Sequence, residues 1–145
     1  MRVLVLGAGS FGGRSAIDGL LDIPSVSIMG ISRSHFPAYE PRLDSNYKNL
    51  EYLIFDLNRD FDKLLSKIEE FQPDEVIDFL GQGMVAESFL SPEDWYLTNV
   101  VNKARLYNFF LMLKNVPRLT RVSTPEVFGA CTLAADSDLW NFRPS

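Results

Sequence analysis

Five short apolar runs, each too short for a helix and each closed by glycine, proline or a polar turn, set the rhythm of the chain. They are Val3 to Leu6, Val26 to Ile31, Tyr52 to Phe55, Val76 to Leu80 and the more polar Leu119 to Ser123, and they read as strands, the first of them buried. Between them the spacing of apolar residues changes to that of a helix. From about Gly12 to Leu21 the apolar positions are Ala16, Ile17, Leu20 and Leu21, with Pro24 ending the pattern. From Asp60 to Phe71 they are Phe61, Leu64, Leu65 and Ile68. The longest pattern, Asp94 to about Lys114, carries Trp95, Leu97, Val101, Leu106, Phe109, Phe110 and Leu113 before Pro117 closes it. The stretch from Ser32 to Asn49, with Pro37 and Pro41, is polar and predicts a loop, and the tail from Gly129 has no clear period.

Continuous apolar strands alternating with helices imply an α/β protein with a parallel sheet covered on both faces. Right-handed crossovers then give the doubly wound order 3-2-1-4-5. The sixth strand of the full pattern has no counterpart before Ser145, so residues 1–145 are expected to form one domain whose sheet is incomplete at its C-terminus. Its last strand would be an exposed edge, and Trp95, Leu106 and Phe110 would lack cover, which predicts self-association.

Composition narrows the class. Apolar residues make up 46% and charged residues 23% of 145 residues, which is ordinary for a soluble globular domain. A net charge of -5 with no basic run argues against a nucleic-acid partner. One cysteine, Cys131, allows no internal disulfide and fits a reducing, cytoplasmic setting. The single histidine, His35, has no soft ligands clustered around it, so no metal is expected. No apolar stretch approaches the ~20 residues of a membrane span, and the apolar run at the start is too short for a signal peptide.

The chemistry begins where the first strand ends. Gly7, Gly9 and Gly12, within Gly7-Ala8-Gly9-Ser10-Phe11-Gly12-Gly13, satisfy G-x-G-x-x-G between a strand and a helix. Such glycines make a tight turn, let backbone approach a pyrophosphate, and let helix and strand pack closely. The helix N-terminus then presents amide hydrogens to the phosphates. The plainer reading is a glycine-rich structural turn. About 20 residues on, where this fold places a carboxylate against a ribose hydroxyl, stand Ser32-Arg33-Ser34. A guanidinium there pairs with a 2′-phosphate, so NADP is favoured over NAD. Alternatively Arg33 only solvates a loop.

Several segments resemble the extended short-chain dehydrogenase/reductase family, the NAD(P)-dependent sugar-nucleotide epimerases and dehydratases with a Rossmann-type fold. Gly7 to Gly13 is similar to the family's Gly-x-x-Gly-x-x-Gly loop. Phe11 matches its aromatic position and Ser10 replaces its middle glycine, where the hydroxyl could donate to the pyrophosphate. Asp56-Leu57, in "IFDLNRD", resembles the pair that contacts adenine, although Asp56 also reads as a helix cap. Leu80, Gly81 and Gln82 resemble the segment beneath the cofactor ribose, and Asn99 matches an asparagine that organises a water or backbone network. "RVSTPEVFG" resembles the family's Ser-Ser/Thr-x-x-Val-Tyr-Gly stretch. By that likeness Thr124 would bond the sugar hydroxyl being oxidised, and Glu126 would be a base. Glu126 reads equally as an exposed carboxylate at a strand end. Pro125 stands where dehydratases carry a general acid and cannot donate a proton, which argues against intact dehydratase chemistry.

The family's hydride transfer uses a Tyr-x-x-x-Lys pair after the fifth strand. None of Tyr39, Tyr47, Tyr52, Tyr96 or Tyr107 has a lysine four residues on. The resemblance therefore implies the cofactor-binding part of a sugar-nucleotide enzyme, with a nucleotide sugar as partner of the full-length parent, and no turnover by this chain alone. The alternative is a non-catalytic module that binds a dinucleotide or docks on a full-length relative.

Overall fold

The computed structural model describes residues 1–35, 48–83 and 85–124. Five parallel strands form one sheet in the order β3-β2-β1-β4-β5: β1 Arg2–Leu6, β2 Ser27–Ser32, β3 Leu50–Ile54, β4 Glu75–Asp78 and β5 Arg118–Arg121. This is the order that right-handed crossovers dictate. The register runs Val5 opposite Gly30 and Ile77, so β1 is the central strand.

The two-residue repeat of a strand divides the core between the two faces of the sheet. Val3 and Val5 point to one face and pack with Ile28, Ile17 and Leu21, under helix α1 (Phe11–Leu21). Leu4 and Leu6 point to the other and pack with Met29, Ile31 and Val76. Helix α2 (Phe61–Phe71) covers that face with Phe61, Leu64 and Ile68, and helix α5 (Asn102–Met112) with Leu106 and Phe110. Leu106 is wholly buried there, and its truncation to alanine would cost about 2–5 kcal/mol.

A short helix α3 (Val85–Leu90), not predicted, comes first, and the long helical pattern then resolves into three pieces: helix α4 (Pro92–Tyr96), a π-helical turn Leu97–Val101, and α5. The extra residue of a π turn shifts the phase of the helix. Val101, expected on the apolar face, is 47% exposed, while Thr98, Asn102 and Lys103 are buried in its place. A second correction concerns cover. Leu106 and Phe110, expected to be bare, lie in the core against Leu57 and Phe61, and Trp95 is half-buried. Among the described residues no helix is long and apolar enough to cross a membrane.

Candidate functional site

All strands of a parallel sheet present their carboxyl ends on one edge, and a cleft opens where the strand order reverses, here between β1 and β4. The glycine loop lies at that point. Gly7 turns the chain with φ +71°, and a Cβ on it would stand 2.9 Å from the carbonyl carbon of Phe79. Gly13 is the packing glycine: a Cβ there would meet the Gly7 oxygen at 2.3 Å. Ser10 caps α1, its hydroxyl oxygen accepting from the Gly13 amide at 3.1 Å. One of the amides expected to face phosphate is therefore already bonded to Ser10. Among the described residues the amides of Gly9, Phe11 and Gly12 have no hydrogen-bond partner. They remain as donors at a positive helix end, which is the chemistry that grips an anion. Phe11 itself projects outward, 81% exposed.

The next strand end continues the cleft. A Cβ on Gly9 would fall 2.5 Å from the Ser32 hydroxyl and 3.3 Å from that of Tyr52. Tyr52 donates to the Ser34 carbonyl at 2.8 Å, which fixes the chain as it leaves β2, and Arg33 is exposed there. Burial raises the Tyr52 pKa above 10.0, against the pull of its hydrogen bond to Ser32 and the charge of Arg14. Beyond β3, Asp56 closes a small turn by accepting the Asn58 amide at 2.7 Å, and its own amide donates to Asp60. Asp60, not Asp56, stands at the head of α2. Leu57 is only 4% exposed and belongs to the core.

At the end of β4 a buried polar cluster holds the backbone. Asp78 has no exposed surface. Its Oδ1 accepts the Leu80 amide at 2.7 Å, and its Oδ2 accepts the Tyr107 hydroxyl and lies 3.3 Å from Lys103 Nζ and 3.1 Å from Arg121 Nη1. Lys103 and Arg121 both donate to the Leu80 carbonyl. Asn99, on the π turn, clamps Gln82 from both sides, accepting its amide and donating to its carbonyl at 2.9 Å each. Leu80, Gly81 and Gln82 thus form a fixed turn beside the glycine loop. The asparagine expected to organise backbone does so.

The same turn lines a cavity of about 570 Å³ on the β5 side, with Trp95, Arg121, Ser123 and Thr124 on its walls. The structure therefore brings Gly7, Gly9, Ser10, Phe11, Gly12, Gly13, Ser32, Leu80, Gly81, Gln82 and Thr124 to one sheet edge. Asp56 borders it, Arg33 and Ser34 follow Ser32 exposed at the end of β2, and Glu126 and Pro125 lie outside the described residues. Sequence reading missed Asp78, Tyr107, Lys103 and Arg121. Lysine and tyrosine four apart on one helix were the available signal, in the order opposite to the motif sought.

A family model described as GDP-mannose 4,6 dehydratase matches residues 4–145. A UDP-glucose 4-epimerase of Azospirillum brasilense is 29% identical over 134 residues, 89% of this chain and 35% of that protein. The UDP-Glc/GlcNAc 4-epimerase from Campylobacter jejuni superposes with a TM-score of 0.79 at 20% identity, over 99% of this chain and 43% of that one. A UDP-glucose 4-epimerase from Bifidobacterium longum, in complex with NAD+ and UDP, gives 0.76 at 20% identity, over 97% and 42%. The chain spans less than half the length of each of these proteins. With a family match across nearly all of a sheet wound 3-2-1-4-5, the chain belongs to the GDP-mannose 4,6 dehydratase family of extended short-chain dehydrogenase/reductase epimerases and dehydratases.

Proposed function

We propose that residues 1–145 are the cofactor-holding domain of an NAD(P)-dependent sugar-nucleotide epimerase or dehydratase, and that this chain alone does not turn over. The observation that carries the reading is the set of open amides at Gly9, Phe11 and Gly12, held at the carboxyl edge by a left-handed Gly7 and a packing Gly13. A pyrophosphate fits there because the positions nearest it have no side chain to displace. When bound, the nicotinamide would accept hydride from the sugar carbon that bears the hydroxyl being oxidised, the hydroxyl proton passing to a base.

In this reading Gly7 to Gly13 hold the pyrophosphate, with Ser10 free to donate its hydroxyl hydrogen to it. Ser32, Arg33 and Ser34 receive the ribose end and favour NADP over NAD. Asp56 and the backbone of Leu57, whose side chain stays in the core, border the adenine, and Leu80, Gly81 and Gln82 run beneath the nicotinamide ribose. Thr124 and Glu126 face a nucleotide sugar in the full-length parent. The relative from Bifidobacterium longum, in complex with NAD+ and UDP, supports this assignment of ligand classes. The absence of Tyr-x-x-x-Lys from the 145 residues supports the lack of turnover. A cytoplasmic location and self-association through the β5 edge, whose residues are exposed, complete the proposal. Light scattering across a concentration series tests the latter, and a constant monomer mass would remove it.

Isothermal titration with NAD and NADP tests the central point. Binding of either, lost in Gly13→Val, is the expected outcome, and silence toward both would end the reading.

A further inference from the structure

Asp78 is one buried carboxylate facing two cations. Tyr107, the remaining group on it, is neutral, because burial, the hydrogen bond to Asp78 and the charge of Asp78 all raise its pKa. One positive charge is therefore unmatched. Lys103 does not offer it outward: its side chain is only 8% exposed, and its ammonium is engaged by Asp78 and the Leu80 carbonyl. Arg121 does. Its side chain is 38% exposed, and its bonds to Asp78 and Leu80 all use Nη1. Among the described residues Nε and Nη2 have no hydrogen-bond partner.

That guanidinium stands on the wall of the 570 Å³ cavity. Among the described residues the lining holds no carboxylate, and it includes the hydroxyl residues Ser88, Ser123 and Thr124. In a chain of net charge -5 the arrangement is selective, because a partly exposed guanidinium with two nitrogens left to donate is satisfied best by an anion, which takes both bonds and the charge. A neutral sugar hydroxyl accepts one bond and leaves the charge uncompensated.

We propose that this cavity binds a compact oxyanion, a phosphate or carboxylate group of the substrate, on the outer nitrogens of Arg121 beside Ser123 and Thr124. The inference rests on the proposed function, in which the dinucleotide spans the glycine loop and the Leu80–Gln82 turn and the substrate meets the β5 wall of the cavity, where Arg121, Ser123 and Thr124 stand. Lys103 takes the positioning role: it shares Asp78 and so leaves Arg121 partly free.

Residue-resolved NMR of the whole 15N-labelled chain separates the two sites. With NAD or NADP saturating, the chain is titrated with inorganic phosphate and, separately, with acetate. Saturable shifts of Arg121 Nε–Hε and of the Ser123 and Thr124 amides are expected. A response to phosphate assigns a phosphoryl group, and a response to acetate assigns a carboxylate. Arg121→Gln should weaken the effect about tenfold or more, as loss of a charge-assisted bond does, while Arg121→Lys keeps part of it. If Arg121 ignores both anions while Gly9 to Gly12 respond to dinucleotide, this inference is overturned and the proposed function stands. If those glycine amides ignore both dinucleotides, the cofactor reading falls, and the Arg121 response is still read by itself. The wild-type shifts decide the matter even where Arg121→Gln fails to fold.

Discussion

The hydroxyl of Ser10 accepts the amide of Gly13 at 3.1 Å, so the residue standing in place of a loop glycine is the cap of the helix that follows. A cap oxygen satisfies one of the four amides that a helix start leaves open. Ser10→Ala should therefore cost about 1 kcal/mol and Ser10→Gly only a few tenths. Urea denaturation checks the order. Equal losses in the two variants would show that the cap contributes nothing.

Two adjacent glycines separate packing from ligand approach. A Cβ at position 13 meets backbone, the Gly7 oxygen at 2.3 Å, and backbone cannot step aside. At position 12 it meets the Phe79 ring at 2.6 Å, and a ring can turn. Gly13→Ala should cost about 1–3 kcal/mol or more, and Gly12→Ala less. Adding Phe79→Leu should relieve the loss at position 12 and leave that at position 13 unchanged. Thermal melts of the four proteins would expose a shared relief, which would mean the two glycines play one role.

The strands and the glycine loop were legible because their signals are local. Val3 to Leu6 is an unbroken apolar run entering glycine, and no distant partner is needed to read it. The cluster under the cavity was not legible for the converse reason. Asp78 meets Tyr107 and Arg121 across 29 and 43 positions of sequence, and a binary pattern treats all three as surface. Thr98 and Asn102 misled in the same way. They are buried because Asn58 donates to Thr98 at 2.8 Å and accepts from Asn102 at 3.0 Å. The π turn between them moved Val101 outward. Pattern reading assumes an unbroken period of 3.6, and one inserted residue defeats it.

The Asp78 cluster has a pH signature. The folded-state pKa of Tyr107 is raised above 10.0, first by burial, then by its hydrogen bond to Asp78 and the charge of Asp78. The folded chain keeps that proton longer than the unfolded chain. Its stabilisation is thus complete below pH 10.0 and is lost as pH climbs above it. Lys103 acts in the opposite sense. Its pKa is lowered from 10.5, mainly by burial, so the unfolded chain holds the extra proton and stability rises as pH approaches that value. Tyr107→Phe keeps the Lys103 contribution and removes the tyrosine's. It should cost about 1–3 kcal/mol near neutrality, a deficit that shrinks above about pH 10. Urea denaturation over that range measures it, and a deficit independent of pH would rule out the link.

Removing the carboxylate tests the same cluster harder. Asp78→Leu leaves Lys103 and Arg121 with no counter-ion at the Leu80 carbonyl, and breaking a buried pair from one side costs about 3–5 kcal/mol. Lys103→Met should cost less, since Asp78 keeps Arg121, Tyr107 and the Leu80 amide. If Lys103→Met proved the worse of the two by calorimetry, the two cations would not be sharing one carboxylate.

In the proposed reading, cofactor preference turns on a single exposed residue. Arg33 follows Ser32, whose hydroxyl crowds Gly9 within 2.5 Å of where a Cβ would stand, so the chain leaves β2 beside the proposed ribose end. No carboxylate occupies Ser32 to Ser34, and the guanidinium offers a 2′-phosphate a paired contact that a ribose hydroxyl cannot use fully. Arg33→Asp replaces attraction by repulsion for NADP and supplies NAD with an acceptor for its hydroxyl. The ratio of the two dissociation constants should move toward NAD by about tenfold to a hundredfold, the equivalent of about 1.5–3 kcal/mol. Because the residue is solvent-exposed, raising the salt should shrink the proposed preference for NADP. Titration calorimetry at two salt concentrations reads both effects. A ratio unmoved by Arg33→Asp and by salt would leave Arg33 as a solvated loop residue and return the choice between NAD and NADP to the backbone.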